Sequence, residues 1–256
     1  MNDVEVNELY LTTTIIRRIR GSSTIGCATG FFYEDNSRLF LVTNKHVIYG
    51  DNYSIPGAVP EIDKMVIILH TNKANLRENK ECELNLLKDG KPVWIEHENP
   101  AIDVVLIPIE IDISLYLLVK VTKDIFDWSD IKVDVAERIF VIGYPYAWYD
   151  GLHNLPIVRV GHLSSPFMVG FQGNSYMLGD VETHRGMSGS PVFMKIHNFY
   201  TKSGSIKLGS WVLRLVGIYS GQPIWKLPDA TEVPHSLSVI WFADLIDEIA
   251  KRVPQQ

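Results

Sequence analysis

The sequence predicts an all-β chain. The expected form is a β-sandwich or a pair of antiparallel β-barrels, closed by a C-terminal α-helix. Three observations lead there. Short Val/Ile/Phe-rich runs recur along almost the whole chain, separated by turn residues. Nothing alternates strand with helix in the βαβ manner. Only the stretch before the C-terminus has clear helical periodicity. At about 150 residues per domain, a chain of 256 residues has room for two barrels. The expected division is 1–120, 121–242 and a helix with its tail at 243–256.

In order, TGFFY and LFLVT flank Glu34-Asp35-Asn36-Ser37, which reads as a β-hairpin. MVIILHT (65–71) and DVVLIPI (103–109) are β-branched and too short for helices. IDISLYLLVK or DIFDWSD, within 111–130, is expected to add a short helix between the halves. In the second half, RIFVIGYP, PIVRVGHLSS, SPVFMKI and WVLRLVGIYSG read as strands. So do FMVGF and YMLGD around Gln172-Gly173-Asn174-Ser175. In ADLIDEIAKRV, Leu245, Ile246, Ile249 and Val253 share one helical face, with acids early and bases late as the helix dipole favours. Pro254 is expected to end this helix.

Composition narrows the function. Lys and Arg total 24 against 30 Asp and Glu, a net charge of −6. That balance argues against nucleic-acid and anionic-membrane partners. Cys27 and Cys82 cannot form a disulfide framework and read as free thiols in a reducing compartment. The first ten residues, MNDVEVNELY, lack the basic and then apolar order of a secretory signal. No apolar run reaches the roughly 18 residues of a membrane span. The expected location is cytoplasmic. His97, Glu98 and Asp103 lack the spacing of a zinc motif, so no metal or cofactor is expected.

Three strings carry candidate chemistry. In HRGMSGSPVF (184–193), Ser188 sits between glycine-bearing turns directly before an apolar strand. Glycine permits the backbone turn that exposes a serine oxygen and lets neighbouring N–H groups converge on one point. In LFLVTNKHVI (39–48), His46 follows an apolar strand, and in NPAIDVVLIPI (99–109) Asp103 opens one. Each is ordinary alone. Together, in the order His, Asp, Ser at strand edges, they resemble the trypsin-like serine peptidases, and most closely the bacterial branch of HtrA and glutamyl-endopeptidase proteins. FVIGYP, VRVGHLSS and LVGIYSG are similar to the flanking strands of that family, and the resemblance spans roughly 12–253.

The resemblance implies Ser188 as nucleophile, His46 as general base and Asp103 as the residue that orients the imidazole. It implies two six-stranded antiparallel β-barrels with the active-site cleft between them, and the N–H groups of Gly186 and Ser188 as oxyanion donors. Ser220 is expected close to Asp103, with the backbone of Ser220, Gly221 and Gln222 pairing with an extended polypeptide substrate. Glu182 falls where the floor of the primary specificity pocket is expected; as a free carboxylate it would favour Lys or Arg in the substrate, whereas neutralised by His184 or Arg185, the reading preferred here, it would leave the pocket suited to small or apolar residues. Tyr219 stands where glutamate-specific relatives carry His, which argues against acidic specificity. Met187 replaces the Asp that anchors a newly cut N-terminus in digestive relatives, so the oxyanion loop must be ordered otherwise, with a regulatory protein partner as one means. No PDZ domain is expected after the last helix. The alternative is a catalytically silent binding module on the same fold.

Overall fold

The computed structural model describes residues 6–223, 225–226, 229, 232–233 and 236–253. The chain is predominantly β, with a short helix after the last strand. The first half contributes β1 (Thr13–Arg20), β2 (Ser23–Asp35), β3 (Arg38–Thr43), β4 (Lys64–His70) and β5 (Asn79–Asn85). It adds the small hairpin β6 (Leu87–Lys88) and β7 (Lys91–Pro92), then β8 (Ile95–Glu96) and β9 (Val105–Pro108). A four-residue helix, α1 (His46–Tyr49), follows β3 directly. The predicted hairpin is β2–β3: Asn36 and Ser37 both take positive φ, 49° and 64°, which matches the right-handed twist of the strands.

These strands form one antiparallel sheet in the order β5-β4-β1-β2-β3-β9-β8. This differs from the six-stranded barrel expected of the first half. The sheet has seven strands, and its end strands β5 and β8 do not pair. After β5 the chain turns into the separate β6–β7 hairpin, where Pro92 has no N–H to donate. β8 is only two residues long and pairs with β9 alone.

The second half contributes β10 (Arg138–Gly143), β11 (Ile157–Leu163), β12 (Tyr176–Asp180), β13 (Pro191–Tyr200) and β14 (Ile206–Gly221). A small pair, β15 (Trp225–Lys226) and β16 (Glu232–Val233), precedes β17 (Leu237–Phe242). Six of these strands pair in a closed ring, β10-β11-β12-β17-β14-β13. FMVGF (167–171) is not a strand. It loops over the barrel end, where Phe167 packs on Trp128 with ring centroids 4.5 Å apart.

No α-helix forms between the halves. Only single 3-10 turns occur there, at Ile113–Leu115 and Lys123–Phe126. The LLVKV run is held extended instead: Leu117 N donates to His70 O at 2.7 Å, and Val121 N to Phe32 O at 2.8 Å. The C-terminal helix α2 (Asp244–Ala250) buries Leu245, Ile246 and Ile249 as the periodicity predicts. Pro254 lies outside the described residues.

Among the described residues, three apolar clusters hold the fold. One fills the first sheet around Ile16, Leu41, Met65 and Ile67, and another fills the barrel around Ile139, Val192, Met194 and Val216. The third joins the halves, uniting Phe31, Val42 and Leu106 with Ile142, Phe193 and Trp241 and with the buried face of α2.

Candidate active site

His46 opens α1, one turn beyond the end of β3. Asp103 lies two residues before β9, the neighbour of β3 in the sheet. Strand pairing therefore brings together two residues 57 positions apart. His46 Nδ1 lies 2.7 Å from Asp103 Oδ2, and the His46 backbone N–H donates to Asp103 Oδ1 at 2.8 Å. Ser220 Oγ, from the end of β14, donates to Asp103 Oδ2 at 2.5 Å. Asp103 is 1% exposed, so its carboxylate is desolvated but supplied with three donors. An ionised carboxylate can only accept, so His46 Nδ1 is the donor in this bond. Tyr53 lies beside the imidazole, its ring centroid 6.1 Å away; burial, then the negative charge of Asp103, pushes its phenol up to about 12.

The His46 helix is clamped from beneath. Lys45 has a side chain only 8% exposed and pairs with Glu96 at 2.6 Å. Glu96 also accepts from Tyr49 Oη at 2.8 Å and Trp94 Nε1 at 2.7 Å. Burial pushes the Glu96 carboxyl up, but the hydrogen bonds from Lys45, Trp94 and Tyr49 and the Lys45 charge outweigh it and hold the group low.

Ser188 sits in the loop between β12 and β13. Its hydroxyl donates to the Ser220 carbonyl at 3.1 Å rather than to the His46 ring. Two loop glycines need their special conformations. At Gly186 (φ +94°) a Cβ would lie 2.3 Å from Tyr144 O, and at Gly189 (φ +86°) 2.1 Å from Thr29 O. Met187 N bonds to His184 O, whereas the N–H groups of Gly186 and Ser188 meet no acceptor among the described residues. Two unclaimed donors flanking a serine oxygen suit a developing negative charge.

Thr29 ties this loop to the first sheet. Its N–H donates to Ser188 O at 2.9 Å and its hydroxyl to Gly186 O at 2.8 Å, while Tyr144 N donates to that hydroxyl at 3.1 Å. Thr43 Oγ1 fixes the Thr29 carbonyl at 2.8 Å.

The remaining expected residues divide. Ser220 and Gly221 close β14, and Gln222 follows them exposed. Glu182 does not reach the interior. Its side chain is 72% exposed; it pairs with Arg159 on β11 and lies 3.7 Å from His184 Nε2, whereas Arg185 makes no ion pair with it. Arg159 lies across the strand, and Arg159 Nε also donates to Glu182 O at 2.9 Å. His97, a conceivable metal ligand, uses both ring nitrogens within the protein, on Glu248 and on the Asn99 N–H. Sequence reading missed Thr29, Lys45, Glu96 and Tyr144.

A family model described as a trypsin-like peptidase domain matches residues 28–198, from Ala28 beside the Thr29 anchor to beyond the Ser188 loop. The chain belongs to the trypsin-like peptidase domain family. Among solved structures, a serine endoprotease from Yersinia pestis superposes with a TM-score of 0.53 at 13% identity. That match covers 97% of this chain and 67% of the other. No curated protein sequence matches the chain. In this trypsin-like peptidase domain, the start of α1, the segment before β9 and the loop before β13 supply the three candidate residues.

Proposed function

We propose that the chain is a serine endopeptidase that hydrolyses polypeptides through His46, Asp103 and Ser188. The observation that carries this reading is the hydrogen-bonded set His46–Asp103–Ser220–Ser188, set beside two N–H groups with no protein acceptor. Catalytic hydrogen bonds are often loose before substrate arrives. Rotation of the Ser188 hydroxyl from Ser220 O onto His46 Nε2 prepares it for attack. The serine oxygen then bonds to the substrate carbonyl carbon as its proton moves to Nε2. The carbonyl oxygen becomes an anion held by the N–H groups of Gly186 and Ser188. Asp103 stabilises the imidazolium, which protonates the departing amine and leaves an acyl-enzyme. Water, deprotonated by His46, hydrolyses that ester and restores Ser188.

An extended substrate pairs with the backbone of Ser220, Gly221 and Gln222. A regulatory partner remains part of this reading, because buried Met187 cannot form the salt bridge that orders the loop in digestive relatives. The unpaired Cys27 and Cys82 support a reducing, cytoplasmic setting. The test is covalent labelling with a fluorophosphonate. Wild type should be modified at Ser188, and Ser188→Ala should not. An unlabelled wild type would favour the silent binding module.

A further inference from the structure

Tyr219 lies one residue before the carbonyl that holds the Ser188 hydroxyl. Its backbone grips one end of the nucleophile loop. Tyr219 N donates to Ser190 O, and Gly189 N donates to Tyr219 O, both at 2.9 Å. Its phenol reaches the other end, where Thr183 Oγ1 donates to it at 2.8 Å. Thr183 lies 3.2 Å from Ser238 Oγ, which donates onward to Val181 O at 3.0 Å. The tyrosine thus spans the inside of the 183–190 loop from end to end.

This interior is filled. Tyr219 and Thr183 are each 3% exposed, and Ser238 is 0%. The ring belongs to the barrel cluster with Val181, Met187, Val216 and Ile240. Burial pushes the phenol up, so it stays protonated. A substrate residue whose carbonyl sits between Ser188 Oγ and the free N–H groups lies against this loop, whose interior is closed to its side chain by the Tyr219 ring. Among the described residues, a charged side chain forced in there would meet hydroxyls and no counter-ion, since Glu182 faces solvent.

We propose that Tyr219 sets the primary specificity by occupying the space beneath Ser188, so that cleavage follows small, uncharged residues such as glycine, alanine or serine. The inference rests on the peptidase reading above. It assigns selectivity to the depth blocked by one aromatic ring and not to the ion pair of Glu182.

Peptidyl phosphonates that differ only in the residue before the reactive phosphorus test it, with a fluorophosphonate lacking that side chain as the control for a competent Ser188. Wild type should react with the alanine probe at least about tenfold faster than with leucine, phenylalanine, lysine or glutamate probes, because a filled pocket penalises each added group. Tyr219→Val should move the leucine-to-alanine ratio toward leucine by about tenfold or more. Tyr219→Phe, which keeps the ring, should retain the alanine preference. A wild type that prefers a large or charged probe overturns the proposal and leaves the peptidase reading intact. So does an unchanged ratio in a labelled Tyr219→Val. Should Tyr219→Val not fold, wild type and Tyr219→Phe still decide. A wild type that no probe labels overturns both.

Discussion

Replacing Thr29 with valine removes one hydroxyl and little volume, and its effect can be worked out from the contacts. The hydroxyl donates to Gly186 O and accepts from Tyr144 N, and Thr29 is 0% exposed. Valine therefore leaves one carbonyl and one N–H buried without partners. Each such group costs about 1–3 kcal/mol, so a loss of about 3 kcal/mol is expected. For a chain of this size that lowers Tm by roughly 6–12 °C. Catalysis should suffer separately. Gly186 O is fixed from the peptide plane next to a proposed oxyanion donor, and loss of one such donor costs about 10²–10³ in kcat. Partial misplacement should therefore lower kcat/KM by about tenfold to a hundredfold. Thr29→Ser keeps the hydroxyl and should recover most of both losses. Thermal denaturation followed by circular dichroism, together with steady-state kinetics, measures the pair. Wild-type Tm and kcat/KM in Thr29→Val would refute the assigned role.

Ser188→Ala should lower kcat by about 10⁶, and Asp103→Asn by about 10⁴; a Ser188→Ala protein that cleaves like wild type removes the assignment. Gly186→Ala puts a Cβ 2.3 Å from Tyr144 O at φ +94°, so it should cost at least about a hundredfold in kcat while circular dichroism shows a folded chain. Glu96→Gln leaves Lys45 buried without its counter-ion and should destabilise by about 3 kcal/mol. The Glu96 carboxyl is held below its ordinary value, so its contribution is full above the usual glutamate range of about 4.3 and is lost as pH falls through the lowered value. Wild-type Tm should therefore drop more steeply than that of Glu96→Gln on acidification from about pH 5; parallel curves would remove the clamp from the account.

Much of the fold could be read because its strands carry apolar runs on both faces. LFLVT, MVIILHT and RIFVIGYP each form a strand where the pattern places one. The strand β5, NKECELN, gave no signal, because it is an edge strand with mostly polar, solvated side chains. Sheet closure is a matter of long-range pairing, so the open first sheet left no trace in local pattern. IDISLYLLVK reads as a candidate helix, but backbone bonds to His70 and Phe32 hold the LLVKV run extended.

The candidate site divides along the same line. His46, Asp103 and Ser188 stand in short recognisable strings. Thr29 sits inside an apolar strand and looks like any β-branched residue. Lys45 reads as part of a polar break, yet its partner Glu96 is 51 positions away with no shared motif. Of the two cations next to Glu182 in sequence, His184 lies within ion-pair range and Arg185 does not, while Arg159, 23 positions away on β11, makes the closer pair.

The Thr29 and Ser220 contacts have a consequence for the halves as separable bodies. Thr29 N–H to Ser188 O, Thr29 hydroxyl to Gly186 O and Ser220 hydroxyl to Asp103 each join one sheet to the other. The bonds that arrange the chemistry are thus the same bonds that rivet the molecule across its seam. Prying the halves apart would strip the serine of its loop geometry and the imidazole of part of its support in a single motion. Damage by heat or a nick at that seam would therefore disarm the hydrolase before releasing it as an indiscriminate one.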